Sequence, residues 1–232
     1  MLNWLVFCAV VLFVRGQEPD GEAAGCCTPD QWEGYIGELT GVAPRFRRAR
    51  VFASGIEISY DYNNKKVAET VHFRFMNKSV SVGLIFDFGK QKMYRFLESR
   101  QKCKTRNLKA TFRRFCIPGT AQKLGSFYFG AGRNKLQVTS YRMAIPKMRC
   151  EVFADVTSSG CIPVGETVIG AAGLFKKYMM EVGFANITPG IKDPSVFNPP
   201  DFCQSDYKAY EDSHDEEIDE YIVQYIHQRF ME

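Results

Sequence analysis

The sequence contains few of the residues and motifs on which enzymes usually depend. Only three histidines occur in 232 residues, and two of them, His214 and His227, lie in an acidic C-terminal stretch. The third, His72, lies inside an apolar strand-like run, which indicates a structural role. Neither G-x-S-x-G nor H-E-x-x-H occurs, so the hydrolase and metalloprotease motifs are missing. We therefore predict a binding protein and no catalytic residues.

The sequence also lacks a hydrophobic run long enough to cross a membrane as a helix. Its longest apolar run, from Leu5 to Val14, is shorter than the ~20 residues that a spanning helix needs. The run fits a secretory signal, with Val14 and Gly16 as the small residues before the cleavage site. We predict that residues 1–16 are a signal peptide and that the mature chain is secreted to the extracellular space.

No C-x-x-C pair and no Cys/His cluster with zinc spacing is present. After signal removal seven cysteines remain, which in an oxidising compartment predicts three disulfides and one odd thiol. The odd thiol is either unpaired or joins two chains. Two N-x-[ST] motifs predict N-glycosylation at Asn77 and Asn186.

Most of the remaining sequence alternates apolar and polar residues, which is typical of half-buried strands joined by short turns. Residues 126–141 predict a hairpin, whereas residues 174–184 fit a strand or a helix. Eight to ten short strands between residues 17 and 205 predict one mostly β domain, either a sandwich or an open barrel. The proline-containing segment 192–200 predicts an ordered loop.

Charge is unevenly distributed along the chain. Residues 201–232 contain ten Asp/Glu against Lys208 and Arg229, a balance of −8, and the mature chain before them has a balance of +11. Residues 206–232 predict an acidic tail with an amphipathic helix. The tail suits a calcium ion without matching a calcium-binding loop. The basic clusters at residues 45–50 and 102–114 suit anionic head groups or sulfated glycans better than nucleic acid, because the chain is exported.

Phenylalanine is abundant, at 19 residues, and alternates along several successive strands. Such strands can enclose an apolar pocket for a lipid-like ligand, and they can equally form a filled core. The candidate lining residues are Val71, Phe73, Phe75, Val82, Leu84, Phe86, Phe127 and Phe129.

Three segments together resemble the ependymin-related proteins. The first runs from Cys26 to Gly34 (CCTPDQWEG) and the second from Gly160 to Thr167 (GCIPVGET). The third runs from Gly190 to Phe197 (GIKDPSVF) and is followed by Pro199-Pro200 and Cys203. Their order and spacing extend over nearly the whole mature domain.

The resemblance implies two stacked antiparallel sheets, related to bacterial lipoprotein carriers, around a deep apolar pocket. It also implies a homodimer, calcium binding and cell–matrix adhesion. It implies the bridges Cys26–Cys161 and Cys103–Cys203. The remaining cysteines then give Cys116–Cys150 and leave Cys27 odd.

Our first hypothesis is a secreted glycoprotein that carries a hydrophobic, lipid-like ligand. The alternative is a calcium-binding extracellular-matrix or adhesion protein without a small-molecule ligand. A hydrolase is a distant third hypothesis, which would need a Ser/His/Asp or paired-carboxylate arrangement in the pocket.

Overall fold

The computed structural model describes residues 25–46, 48–75, 78–108, 110–146, 149–172 and 176–203. The described residues form thirteen β-strands and three short 3-10 helices. The strands are β1 (Cys26–Cys27), β2 (Gln31–Pro44), β3 (Arg50–Asp61), β4 (Lys66–Phe75), β5 (Lys78–Asp87), β6 (Lys92–Leu97), β7 (Lys102–Asn107), β8 (Cys116–Ile117), β9 (Gln122–Ala131), β10 (Asn134–Ile145), β11 (Cys150–Thr157), β12 (Pro163–Ala172) and β13 (Lys176–Pro189). The 3-10 helices are Glu98–Arg100, Pro194–Phe197 and Asp201–Cys203.

The strands form two antiparallel sheets of very different size. Eleven strands make one sheet in the order β7-β6-β5-β4-β3-β2-β13-β12-β11-β10-β9, and β1 pairs with β8 in the other. The predicted mostly β class with two antiparallel sheets is confirmed. The sheets are unequal because two meanders, β2–β7 and β9–β13, join into one sheet where β13 pairs with β2.

The two faces of the large sheet differ in burial because apolar residues alternate along each strand. On β2, Trp32 and Ile36 are buried, whereas Tyr35 and Leu39 on the opposite face are exposed. We call the face that carries Trp32 and Ile36 the inner face. Its side chains form the main core cluster, to which both meanders contribute.

The outer face of the first meander is covered by the segment that follows β13. The carboxylate of Asp193 accepts hydrogen bonds from the backbone N–H and the hydroxyl of Ser195, at 2.9 and 2.8 Å, and so caps the helix Pro194–Phe197. These bonds hold the pKa of Asp193 below its ordinary value. Phe197 is buried against Ala68 and Ile85. The proline-containing segment is therefore an ordered, packed loop, as expected.

Two features of the predicted secondary structure have clear outcomes. The ambiguous run at residues 174–184 lies mostly within strand β13, whose long pairing with β2 decides against a helix. The predicted hairpin at residues 126–141 lies within β9 and β10. The acidic tail at residues 206–232 and its predicted helix lie outside the described residues.

Three disulfides link distant parts of the described chain. Cys26–Cys161 and Cys103–Cys203 are present as the resemblance implies. The predicted bridge Cys116–Cys150 and the odd Cys27 are wrong, because Cys116 is bonded to Cys27. The reason is the pairing of β1 with β8, which places these two cysteines directly opposite each other. Cys150, at the start of β11, is disulfide-bonded as well.

Candidate functional site

A connecting segment crosses the inner face of the large sheet. We call residues 110–121 the strap: they lead from β7 at one edge of the sheet to β9 at the other, and they include β8. The strap is anchored by Cys27–Cys116 and by the hydrogen bond from the Thr28 N–H to the Phe115 carbonyl, at 2.9 Å. An ion pair of 2.7 Å between Arg114 and Asp30 adds a third contact. The strap is thus fixed to the segment that precedes β2.

Aromatic side chains of the strap pack into the inner face. The Phe112 ring lies 4.5 Å from the Phe88 ring and 5.5 Å from the Tyr60 ring, measured between centroids. Phe115 packs edge-on against Trp32 at 6.1 Å. Its backbone N–H donates a hydrogen bond of 3.2 Å to the Tyr60 hydroxyl. These contacts stabilise the strap by aromatic burial as well as by covalent linkage.

Two buried tyrosines of this face, Tyr60 and Tyr178, have raised pKa values. Burial raises the pKa of Tyr60 above its ordinary value, and the hydrogen bond from Phe115 only partly offsets this effect. Burial likewise raises the pKa of Tyr178, on β13. Neither residue therefore supplies a negative charge at physiological pH, and both contribute mainly apolar surface to the face.

The strap also borders a cavity, whose other walls are strands β10–β13 of the second meander. It has a volume of about 20 Å³, which is room for about one water molecule. Its lining is mostly apolar, with Glu166 and Asp155 as the acidic members. The lining residues are Phe115, Cys116, Ile117, Met143, Ala154, Asp155, Val156, Pro163, Gly165, Glu166 and Phe184.

The position of the cavity shows that the large sheet is strongly curved. Phe115 packs against Tyr60 on β3 and also lines the cavity with Met143 on β10. Five strand spacings separate β3 from β10, which amounts to about 24 Å in a flat sheet. One side chain can approach both strands only if the sheet curls around the strap. The inner face is therefore concave.

Three charged side chains are buried on the otherwise apolar inner face. Glu69, Arg95 and Glu166 are each about 5% exposed or less. The strand register places Leu84 between Glu69 and Arg95. Glu69, Leu84 and Arg95 therefore lie in one row across the inner face. Buried charges are costly unless polar groups compensate them. The inner face is thus apolar with a few fixed polar positions, as small-molecule sites commonly are.

The candidate pocket residues do not form one set. Val71, Phe73, Val82, Leu84 and Phe86 are buried together in the main core cluster of the inner face. In contrast, Phe127 and Phe129 are exposed on β9, at the far edge of the sheet. The side chain of Phe75 lies outside the described residues. The first five residues belong to the core of the first meander, and the cavity lies on the second meander instead.

A serine, a histidine and a glutamate lie side by side on the outer face. His72 Nδ1 is 2.8 Å from Ser81 Oγ, and His72 Nε2 is 3.6 Å from Glu57 Oε1. They lie on three adjacent strands of a continuous ladder, and His72 is directly opposite Ser81. The arrangement is open to solvent, and the ladder occupies the backbone N–H groups that an oxyanion hole would need. It forms a polar cross-strand contact and lies outside the pocket that the hydrolase hypothesis requires.

No group of three or more His, Cys, Asp or Glu comes together to hold a metal ion within the described ranges. The acidic tail, on which the calcium expectation depends, is outside them. Of the two predicted glycosylation sites, Asn186 is exposed on β13, beside a bulge in its pairing with β2. Asn77 lies outside the described residues. The described part of the chain contains no helix of the length and apolarity needed to span a bilayer.

Sequence reasoning missed the strap and therefore the true position of the cavity. The signal that could have found the strap is the adjacent pair Cys26-Cys27, because successive side chains of an extended segment point in opposite directions and so meet different partners. Cys27 then requires a partner of its own, and the strap carries Cys116. Phe112 and Phe115, which precede Cys116, are the apolar anchors of the same segment.

Known proteins similar to this chain agree with the sequence resemblance. Ependymin-related protein 1 of Haliotis asinina is 24% identical over 186 residues, covering 78% of this chain and 90% of that protein. Ependymin of Notemigonus crysoleucas is 27% identical over 160 residues, covering 66% and 69%. A solved LolA superfamily protein from Nitrosomonas europaea aligns with 74% of this chain and 91% of its own at 8% identity, with a TM-score of 0.35. The family model described as Ependymin matches residues 76–203, and the chain belongs to the ependymin family.

Proposed function

We propose that the chain is a secreted glycoprotein that binds a hydrophobic, lipid-like ligand on the concave inner face, beside the strap. The observation that carries the proposal is the cavity between the strap and strands β10–β13, which is apolar apart from a buried glutamate and a neighbouring aspartate. Curved antiparallel sheets with an apolar concave face are suited to such ligands. The disulfides support an extracellular location, since they persist in oxidising compartments.

An alkyl chain has to displace protein side chains to enter this site. The cavity holds about one water molecule, which is far smaller than a lipid tail. One of its walls can move at low cost, because Met143 has a flexible thioether side chain, whereas Phe115 belongs to the strap, which is held by Cys27–Cys116. We therefore expect the ligand to enter on the Met143 side of the cavity.

Mass spectrometry of the secreted protein tests the proposal first. The mature chain from Gln17, produced in a secreting eukaryotic host, is expected to retain a stoichiometric lipid through gel filtration. A protein that emerges empty and takes up no offered lipid contradicts the proposal.

Trp32 provides a second measurement on the same protein. The sequence contains two tryptophans, Trp4 and Trp32, so the mature chain has Trp32 alone, buried against Tyr60 and Phe115. Energy transfer from Trp32 to the fluorescent fatty acid cis-parinaric acid should therefore report binding at the strap. Displacement by a non-fluorescent long-chain fatty acid or alcohol then ranks the polar end groups.

A matched pair of variants locates the site. Ala154 lines the cavity, whereas Ala53 is exposed on the outer face of β3. We expect Ala154→Leu to weaken parinaric acid binding about tenfold or more, since it fills the space that the ligand needs. Ala53→Leu should leave binding unchanged. Equal binding by both variants, with thermal unfolding curves that show both to be folded, would place the ligand elsewhere.

The alternative of a calcium-binding matrix protein has less support. It depends on carboxylates of the acidic tail, at residues beyond the described part. The homodimer and the matrix partners likewise remain predictions from the family resemblance. Loss of matrix adhesion on removal of residues 206–232, with lipid binding retained, would favour this alternative.

A further inference from the structure

The hairpin of β9 and β10 exposes several large apolar side chains on a regular strand pair. All ten residues of β9 are exposed, as are the first four of β10. Among the described strands, β9 is at the edge of the large sheet and pairs with β10 alone. We call residues 122–137 the hairpin. Its large apolar side chains, each 40–49% exposed, are Leu124, Phe127, Tyr128, Phe129 and Leu136.

The apolar side chains of the hairpin lie on both of its faces. The register places Phe129 opposite Leu136 and Phe127 opposite Val138, so these side chains share one face. The rings of Phe127 and Phe129 are 5.3 Å apart. Tyr128 points to the other face, where Lys135 Nζ lies 4.2 Å from its ring centroid. A hairpin that is apolar on both faces cannot be covered by packing one face against a flat protein surface.

The hairpin lies within a long segment of one charge sign. Between Glu98 and Glu151 the sequence has no Asp or Glu and contains 13 lysines and arginines. The hairpin itself contributes Lys123, Arg133 and Lys135, all of them exposed. Exposed cations on an element that carries no acidic residue attract anionic partners over about a Debye length. The partner is therefore expected to be anionic and to accept aromatic side chains.

We propose that the hairpin is a docking element for an anionic lipid bilayer surface. Aromatic side chains favour the headgroup region of membranes, and each lysine or arginine near an anionic leaflet adds attraction. The hairpin lies at the outer edge of the second meander, whereas β13, at the other edge of that meander, pairs with β2. None of the residues that line the cavity belongs to the hairpin. The inference therefore goes beyond the proposed ligand binding and does not depend on it.

Two other occupants fit the same surface less well. A second copy of the chain could pair with the free edge of β9, but it would bring the same three cations and no acidic residue. A sulfated glycan would match the charge but would leave Phe127, Tyr128 and Phe129 in water. The bilayer surface is the occupant that satisfies both the charge and the aromatic side chains.

Vesicle flotation with the full mature chain tests the proposal. We expect the protein to float with phosphatidylcholine vesicles that contain phosphatidylserine, and not with phosphatidylcholine alone. High salt should release it, because the attraction between exposed charges is screened. Absence of binding to the phosphatidylserine vesicles at low salt would overturn the proposal.

Paired variants assign the binding to the hairpin. Replacement of Arg133→Gln together with Lys135→Gln should weaken vesicle binding about 25-fold, since about 1 kcal/mol for each charge corresponds to about fivefold. Tyr128→Ser with Phe129→Ser should weaken binding about tenfold or more. The controls Lys177→Gln and Met179→Ser change an exposed cation and an exposed methionine on the outer face of β13, and should have no effect. Equal losses in the hairpin and control variants would overturn the assignment.

Two further readouts separate the proposal from its competitors. Light scattering reports the oligomeric state: if the hairpin variants only convert a dimer into a monomer, the surface belongs to a second copy. If they lose heparin binding but keep vesicle binding, it belongs to a glycan. Either result overturns the proposal. All hairpin variants should still bind cis-parinaric acid, so a failure here is distinguishable from a failure of the proposed function.

Discussion

The strap cluster and the hairpin contain similar residues in opposite environments. Around the strap, Trp32, Tyr60 and Phe115 are buried and the segment is linked to its neighbour by Cys27–Cys116. In the hairpin, Phe127 and Phe129 alternate along β9 and are exposed to solvent. The difference is position: the strap lies inside the curved sheet, and β9 forms its edge. Aromatic alternation therefore predicts strands, and topology decides whether the rings form a core or a surface.

The largest expected contrast comes from truncating one phenylalanine in each region. Phe115→Ala removes a ring that packs on Trp32 and Tyr60, and should lower the free energy of unfolding by about 3–5 kcal/mol. Phe127→Ala should change it by no more than about 0.5 kcal/mol, because the ring is exposed. Urea unfolding with the disulfides intact measures both values. Similar losses of unfolding free energy in the two variants would mean that Phe127 packs against other parts of the protein and is not exposed.

A smaller contrast concerns two strand glycines, of which one faces an aromatic ring and the other faces open space. A Cβ at Gly83 would overlap the ring of Phe96, which lies directly opposite on β6, so Gly83→Val should cost about 1–3 kcal/mol. Gly125, on β9, has nothing within 4 Å of the corresponding position. Gly125→Val is therefore expected to be neutral or slightly stabilising, as valine favours strands. A loss at Gly125 comparable to that at Gly83 in thermal unfolding would contradict this picture.

The smallest loss of stability is expected at the turn after β3. A carboxylate caps this turn, whereas the turn of the hairpin is exposed and carries Arg133. The Asp61 carboxylate accepts hydrogen bonds from the Asn64 backbone N–H at 2.9 Å and from its side-chain amide at 2.7 Å. Burial alone would raise the pKa of Asp61, but these hydrogen bonds outweigh burial and leave the pKa below its ordinary value. Asp61→Ala should therefore cost about 1 kcal/mol at neutral pH.

The pH dependence of this loss has a definite sign. A lowered pKa in the folded state stabilises the protein above the unfolded pKa of about 3.9, and the stabilisation is lost as the pH falls through the folded value. The difference between wild type and Asp61→Ala should therefore shrink below about pH 4. Urea unfolding at neutral and acidic pH measures it. A difference that stays constant on acidification would show that the charge of Asp61 is not involved.

Local patterns predicted many of the strands because most of them have one buried face. The alternation at residues 126–141 identified the hairpin, and the polar turns between β3 and β6 identified that part of the first meander, whereas β2 was not predicted. Residues 174–184 remained ambiguous because a short apolar run fits both periods, and only the pairing of β13 with β2 resolves them. The Cys26–Cys161 and Cys103–Cys203 bridges followed from the resemblance to a family, not from spacing.

The cavity and the Cys27–Cys116 bridge could not be predicted from local pattern. Both depend on the strap, which crosses the sheet and approaches residues that are distant in sequence, such as Cys27, 89 residues before Cys116. Alternation gives no information on which strand forms an edge, so Phe127 was grouped with Phe86 although eight strand spacings separate β5 from β9. Charge patterns were similarly incomplete, because Arg95 and Glu69 resemble surface residues in sequence and are buried.

The junction of β2 with β13 has a consequence for the order in which this chain can fold. The first long strand pairs with the last one, so the centre of the sheet cannot form until residue 189 has been synthesised. Until then β2 has an unpaired edge, and so does β12. Such long-range antiparallel pairing slows folding and prolongs exposure to aggregation. The first meander, β2–β7, can meanwhile form from neighbouring strands, so the protein is expected to assemble as two halves that close at a late step.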